Sequence, residues 1–209
     1  MKLAIFGATG LIGGIVASRA LAEGHEVVAI VRDPAHIRVR QRRLIVPGGS
    51  PTLVADVKRC LHGADAVSHC LGIGGKGDGR PTTLISASVG VVLFAMAKLG
   101  VPRILCMSNV GAGGSGTWLA NRIVVPLFLR WLLPIIADKD RMEAALRASS
   151  VEWISVRLPR IVDGPEKPLR TSADGRGHGL SITAASAARF LLAQIASPGP
   201  VGSTPSISN

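Results

Sequence analysis

Gly7, Gly10 and Gly13 stand three residues apart, directly behind the apolar run Lys2-Leu3-Ala4-Ile5-Phe6 and directly ahead of an apolar-periodic stretch. A strand, a glycine turn and a helix start, in that order, build a phosphate site. Gly7 lets the chain leave the strand in a tight turn. Gly10 has no Cβ, so a pyrophosphate can approach the backbone, and Gly13 lets the helix pack closely on the strand. Free N–H groups at the helix start, with the helix dipole, then hold the anion, which makes Gly7, Thr9, Gly10, Leu11 and Ile12 the candidate contacts. The spacing leaves two residues between each pair of glycines, where the commonest dinucleotide fingerprint leaves one between its first two.

The second chemical signal is Arg32, at the end of the continuous apolar run Val27-Val28-Ala29-Ile30-Val31. An acidic residue there would bind the ribose 2′-hydroxyl of NAD, whereas an arginine suits the 2′-phosphate of NADP. Asp33 follows and could still reach a ribose hydroxyl. Arg38, Arg40, Arg42 and Arg43 continue the basic stretch, but one or two arginines are enough for a phosphate. Arg40, Arg42 and Arg43 are read as a solvated loop. The whole chain carries a formal charge of +11, from 24 Lys and Arg against 13 Asp and Glu. That balance suits phosphate-bearing or anionic partners. A nucleic-acid binder would rest on charge alone, and none is expected. Cys60, Cys70 and Cys106 show no paired spacing and read as reduced core residues, and the five histidines have no metal spacing, so no metal site is expected. The N-terminus enters a strand with no secretory pattern, which predicts a cytoplasmic protein.

The segments "AIFGATGLIG", "VVAIVRDP", "GADAVSHCLG", "ILCMSNVGAG" and "DKDRMEAALRASSVEWISVRLPRI" together resemble the atypical short-chain dehydrogenase/reductases, in the branch of small NAD(P)H-binding proteins similar to NmrA and to biliverdin reductase B, a flavin reductase. The resemblance covers nearly the whole chain. It implies a dinucleotide cofactor and backbone contacts to it at Leu71 and Gly72. It places a serine after the fifth strand, matched by Ser108, near the substrate. The histidine of the branch's "P-P-H" segment is replaced by Arg160, in Leu158-Pro159-Arg160, where arginine could bind an anionic substrate or the pyrophosphate. The branch's second arginine falls on His36, with Arg38 two residues later as the substitute, and its Gly-Asp after the third strand is Gly49-Ser50 here.

The elements alternate throughout. Helices are expected over Leu11–Glu23, Pro51–Leu61, Pro81–Leu99, Asp138–Ser149 and Ala184–Ala196, and strands over His25–Val31, Leu44–Val46, Ala66–Cys70, Val101–Met107 and Glu152–Val156. This is a three-layer Rossmann-like α/β sandwich with a doubly wound, mostly parallel sheet. One domain is expected over residues 1–209, those after about 157 forming a small cap beside the nicotinamide. The tail after residue 196 reads as irregular. The helix at 138–149 reads as amphipathic, with Met142, Ala145 and Leu146 inward and its charges outward. Residues 118–136, "WLANRIVVPLFLRWLLPII", are nearly long enough to span a bilayer, but Arg122 and Arg130 argue against a span. A lid, a homodimer interface and a buried hairpin stay open for them.

The chain has no tyrosine. That excludes the Tyr-x-x-x-Lys pair most members of the wider superfamily use. Hydride transfer without it suits a flavin or another planar conjugated acceptor, which can draw its proton from water. Ser108 and Lys139 are the catalytic candidates, Lys139 lying near the place of the superfamily lysine. The function expected is an NADPH-dependent reductase that prefers NADPH to NADH; the alternatives are a non-catalytic NADP(H) sensor, or a non-flavin reductase or epimerase of a biosynthetic pathway.

Overall fold

The computed structural model describes residues 1–37, 39, 41–73, 78–115, 127, 129–173, 179–197 and 199–209. Strands β1 (Lys2–Phe6), β2 (Glu26–Ile30), β3 (Leu44–Ile45), β4 (Ala66–His69), β5 (Arg103–Asn109) and β6 (Glu152–Leu158) run parallel in the order β3-β2-β1-β4-β5-β6. The order reverses between β1 and β4, which is where a doubly wound sheet opens its ligand crevice. Helices α1 (Leu11–Ala22), α2 (Val54–Leu61), α3 (Leu84–Leu99), α4 (Leu133–Arg147) and α5 (Ala184–Ala196) cover the two faces.

The continuous apolar strands follow from that burial. Val27 and Ala29 join Leu3 and Ile5 in the core under α1 and α5, while Val28 and Ile30 join Ala4 and Phe6 under α2 and α3. Both faces of a parallel strand are dry, so both must be apolar. The sandwich expected from the sequence is the fold observed.

Several boundaries differ, each for a local reason. The second helix begins at Val54 rather than Pro51, because Ser50 turns the chain back: its amide donates to Asp56 Oδ2 at 2.9 Å and its carbonyl accepts from Leu53. The third begins at Leu84 rather than Pro81. Its N-terminus is capped from another element, Asp138 accepting from the amides of Ile85 and Ser86 at 2.9 and 3.2 Å. The helix expected at 138–149 begins earlier, as α4, and carries Asp138, Lys139 and Glu143 inward, correcting the outward placement of its charges. β5 and β6 each run two residues further than expected, so Ser108 lies within β5 and not beyond its end.

The expected irregular tail forms β10 (Ser206–Ser208), parallel to β6 and antiparallel to β8 (Arg170–Ser172). β7 (Arg160–Val162) and β9 (Ser181–Thr183) make a separate two-stranded parallel sheet. These strands are three residues long, too short for alternation to show in the sequence. Most of the 118–136 stretch, residues 118–126 and 128, lies outside the described residues, as does Arg38; Leu133–Ile136 open α4. Among the described residues no helix is long and apolar enough to cross a membrane.

Candidate functional site

The glycine turn is explained atom by atom. Gly7 has φ +85°, and a Cβ there would sit 2.7 Å from the Cys70 carbonyl oxygen, where the end of β4 crosses the turn. A Cβ on Gly13 would lie 2.2 Å from the Gly7 carbonyl. Both glycines are therefore required by packing within the chain. Gly10 is different: φ is −81°, an ordinary value, and its Cβ would meet only the Gly7 carbonyl at 3.3 Å. The chain's own packing presses least on this glycine, which faces solvent at the N-cap of α1. Among the described residues no side chain caps that helix. Gly10 N–H bonds Gly7 and Gly14 N–H bonds Gly10, and among the described residues the N–H groups of Leu11, Ile12 and Gly13 have no acceptor. Three uncapped donors at a helix N-terminus are an anion cradle. Thr9, Gly10 and Leu11 line a cleft of about 470 Å³ that continues along α1 to Val39.

Arg32 follows the β2 ladder, exposed and, among the described residues, without an ion pair. Its neighbour Asp33 is engaged instead. Oδ1 accepts from Ala35 N at 2.9 Å, capping the short turn Pro34–His36, and Oδ2 lies 3.2 Å from His36 Nδ1. At β4, Leu71 is half-buried and Gly72 exposed, and among the described residues nothing beyond its chain neighbours lies within 4 Å of where its Cβ would stand. Pro159 is half-buried after β6 and Arg160 exposed in β7. A larger hollow of about 720 Å³, lined by Met1, Asp65, Arg103 and Glu152, opens at the opposite, amino-terminal ends of the strands; ligands of doubly wound sheets do not sit there.

Beneath α4 the sheet carries a seam of polar side chains. Lys139 is 3 % exposed, and its Nζ donates to the carbonyls of Met107 at 2.5 Å and Leu71 at 3.5 Å, bridging the ends of β5 and β4. Burial pulls its pKa from 10.5 down to about 8, against the opposing pull of nearby acidic groups. Ser108, 2 % exposed, donates to Glu143 Oε1 at 2.9 Å. Glu143 also takes Arg157 Nε at 3.0 Å and Nη2 at 2.6 Å. Burial pushes the Glu143 carboxyl up, but its donors Arg157, Ser108 and Arg147 outweigh that and hold it below the ordinary carboxylate range. His69 is fully buried on β4, stacked on Phe6 and bonded through Nε2 to Ser88 Oγ at 3.0 Å. Burial drops its pKa to about 3, so it is neutral. Burial likewise raises Cys60 and Cys70 to about 12 and about 11, and Cys106 further still. Those three are inert thiols, as their apolar surroundings predict.

A family model described as NAD(P)H-binding matches residues 7–198. The chain belongs to that NAD(P)H-binding family. An uncharacterized protein of Mycobacterium tuberculosis (strain H37Rv) is 31% identical over 167 residues, 77% of this chain and 15% of that protein, so the chain spans only a small part of its relative's length. Among solved structures, ChuY, an anaerobilin reductase from Escherichia coli O157:H7, is 19% identical with a TM-score of 0.83, covering 100% of this chain and 97% of that one. A short-chain dehydrogenase/reductase from Veillonella parvula in complex with NADP is 14% identical with a TM-score of 0.79, covering 100% and 94%. At those identities the likeness is one of fold.

The residues fit the family's cofactor. The α1 N-terminus, uncapped among the described residues, suits a pyrophosphate, and Arg32, which makes no ion pair among the described residues, lies beyond β2. The sequence-predicted contacts Gly7, Thr9, Gly10, Leu11, Ile12, Leu71 and Gly72 lie around the carboxyl ends of β1 and β4, with Arg32 beyond β2. Pro159 and Arg160 stand further out, past β6. The sequence reading missed Glu143, Arg157 and Asp138. The signal available was weak: a Glu and an Arg fourteen residues apart, one on a helix and one in a strand.

Proposed function

We propose that the chain is an NADPH-dependent reductase that passes hydride to a flavin or a similarly planar, conjugated acceptor. One observation carries this reading: among the described residues, the strand ends hold almost no side chain free to deliver a proton. There is no tyrosine. Ser108 has donated its hydrogen to Glu143, Glu143 is held ionised, and His69 is buried and neutral. Arg157 and Arg160 offer guanidinium hydrogen bonds rather than a proton for transfer. Lys139 titrates nearest to neutrality, but it is buried and holds two backbone carbonyls. An acceptor that draws its proton from water needs none of these groups.

Bound NADPH supplies hydride at its nicotinamide; the protein supplies position and field. The α1 N–H groups would hold the pyrophosphate and Arg32 the 2′-phosphate, with Asp33 turned away into its own cap. Anchored so on the β2 side, the cofactor would bring its nicotinamide half to Leu71, Gly72, Ser108 and Lys139, at the ends of β4 and β5. Ser108 and Lys139 act there as positioning groups, and the exposed Arg160 would meet an anionic part of the acceptor or cofactor. The test is to mix the protein with NADPH and FMN and follow nicotinamide absorbance. Loss of absorbance dependent on the protein supports the reductase; tight NADPH binding without turnover on any planar acceptor supports the sensor reading and rejects this one.

A further inference from the structure

Glu143 is fully buried and receives five hydrogen bonds. Ser108 Oγ, Ser155 Oγ and Arg157 Nε reach Oε1 at 2.9, 3.3 and 3.0 Å. Arg157 Nη2 and Arg147 Nη2 reach Oε2 at 2.6 and 2.9 Å. A carboxylate offers about four lone-pair sites, so this one has none left to take a proton from a substrate. Its effect is on its neighbours. Ser108 has a single hydroxyl hydrogen, and it points at Glu143, so toward anything else Ser108 offers only lone pairs. Arg157 is the cross-strand partner of Ser108, and its Nη2 lies 2.2 Å from where a Cβ on Gly113 would stand. Gly113, with φ +59°, is thus seated directly on the guanidinium, and its amide donates to Asp140 Oδ1 at 2.6 Å. Through Glu143 and Asp140 one helix, α4, fixes both the end of β5 and the turn that follows it.

We propose that Glu143 is the positioning residue of the nicotinamide half of the cleft, fixing Ser108 as a hydrogen-bond acceptor and seating the 111–115 turn through Arg157. The inference rests on the NADPH reading above and adds a specificity to it. A group that meets Ser108 must be a donor, such as a carboxamide N–H₂ or a ring N–H, and a bare carbonyl there is disfavoured.

The test compares Ser108→Ala, Ser155→Ala and Glu143→Gln in the full chain with NADPH. Calorimetry gives the affinity, the emission of bound NADPH reports the surroundings of its nicotinamide, and turnover with FMN reports the reaction. Ser108→Ala and Glu143→Gln should leave NADPH affinity within about twofold, change the emission of the bound nicotinamide, and lower turnover by about tenfold. Their combination should be no worse than the worse single variant, because both act through one contact. Ser155→Ala removes a donor from the same carboxylate oxygen deeper in β6, and should change emission and turnover by less than about twofold. The proposal is overturned if Ser155→Ala matches Ser108→Ala, if Glu143→Gln weakens NADPH binding about tenfold, or if bound-NADPH emission is unchanged in both active-end variants. Should Glu143→Gln not fold, the two serine variants decide alone. Failure of the unsubstituted protein to bind NADPH is seen before any variant is made, and it overturns the underlying reading and this inference together.

Discussion

At the start of α1 the chain presents backbone N–H groups with almost no side chain around them, whereas beneath α4 it buries Asp138, Lys139, Glu143 and Arg157 among strand ends. The two regions sit at the same end of one sheet, yet they work by opposite means. The first is kept open by what is absent: Cβ atoms at Gly7 and Gly13 would collide with carbonyls, and in the proposed reading a Cβ at Gly10 would stand where a phosphate arrives. The second holds its shape through what has been added: out of water, Glu143 pairs with Arg157, Lys139 holds two backbone carbonyls and Asp138 caps α3. Glycine sites tolerate no bulk, whereas ion-pair seams tolerate no missing partner.

The largest effect should come from breaking the seam. Glu143→Ala leaves the guanidinium of Arg157, 6 % exposed, without its carboxylate. An uncompensated buried charge costs about 3–5 kcal/mol, to be read by denaturant unfolding. A loss below about 1 kcal/mol would mean that water reaches the pair, as at a surface salt bridge.

The glycine turn should break differently. Gly10→Val should weaken NADPH binding by at least about a hundredfold, about 2.7 kcal/mol, while the melting temperature barely moves, because the chain makes little contact at that position. Gly13→Ala places a Cβ 2.2 Å from a carbonyl oxygen and should cost about 1–3 kcal/mol of stability as well as binding. If both variants lost stability equally, Gly10 would be a packing glycine and the phosphates would lie elsewhere.

This contrast also explains what could be read in the sequence. Gly7, Gly10 and Gly13 carry their meaning in type and spacing, and the strand before and helix after confirm it. The strands β1 and β2 are apolar on both faces, and β4, β5 and β6 carry short apolar runs, so all five announce themselves. Glu143 does not. On a helix with Met142 and Leu146 inward, a Glu reads as solvated unless its partner is known, and that partner, Arg157, is brought opposite Ser108 only by β-pairing. Asp138 is hidden in the same way, since it caps a helix more than fifty residues earlier. β10 has one apolar residue, Ile207, and exists because β6 and β8 offer their edges.

Lys139 gives the seam a pH signature. Its folded pKa of about 8 lies below the ordinary 10.5, so at neutral pH the unfolded chain holds that proton more tightly and folding is penalised. The penalty is full below pH 8, fades as pH rises toward 10.5, and is gone above it. Lys139→Met should therefore stabilise the protein more at pH 7 than at pH 9.5, by about 2 kcal/mol between the two. Taking the difference between variant and parent cancels the buried thiols, whose raised pKa values lower stability as pH rises past 9. A difference that does not vary with pH would show a solvated amine.

The smallest effect is expected at Arg32, which is exposed and which the proposed reading makes a side-chain rather than a backbone contact. Arg32 has no ion pair among the described residues, so nothing inside the chain depends on it. Arg32→Ala should leave stability unchanged. A charge-assisted hydrogen bond to the 2′-phosphate is worth about 1.5–3 kcal/mol, and exposure places this one near the lower bound, so NADPH affinity should fall roughly tenfold. NADH, lacking that phosphate, should bind as before, since Asp33 is already held by Ala35 and His36. Titrating both cofactors into both proteins separates the cases. Equal affinity for NADPH and NADH in the parent would remove Arg32 from the site, and a parallel loss for both cofactors in the variant would assign it to the pyrophosphate instead.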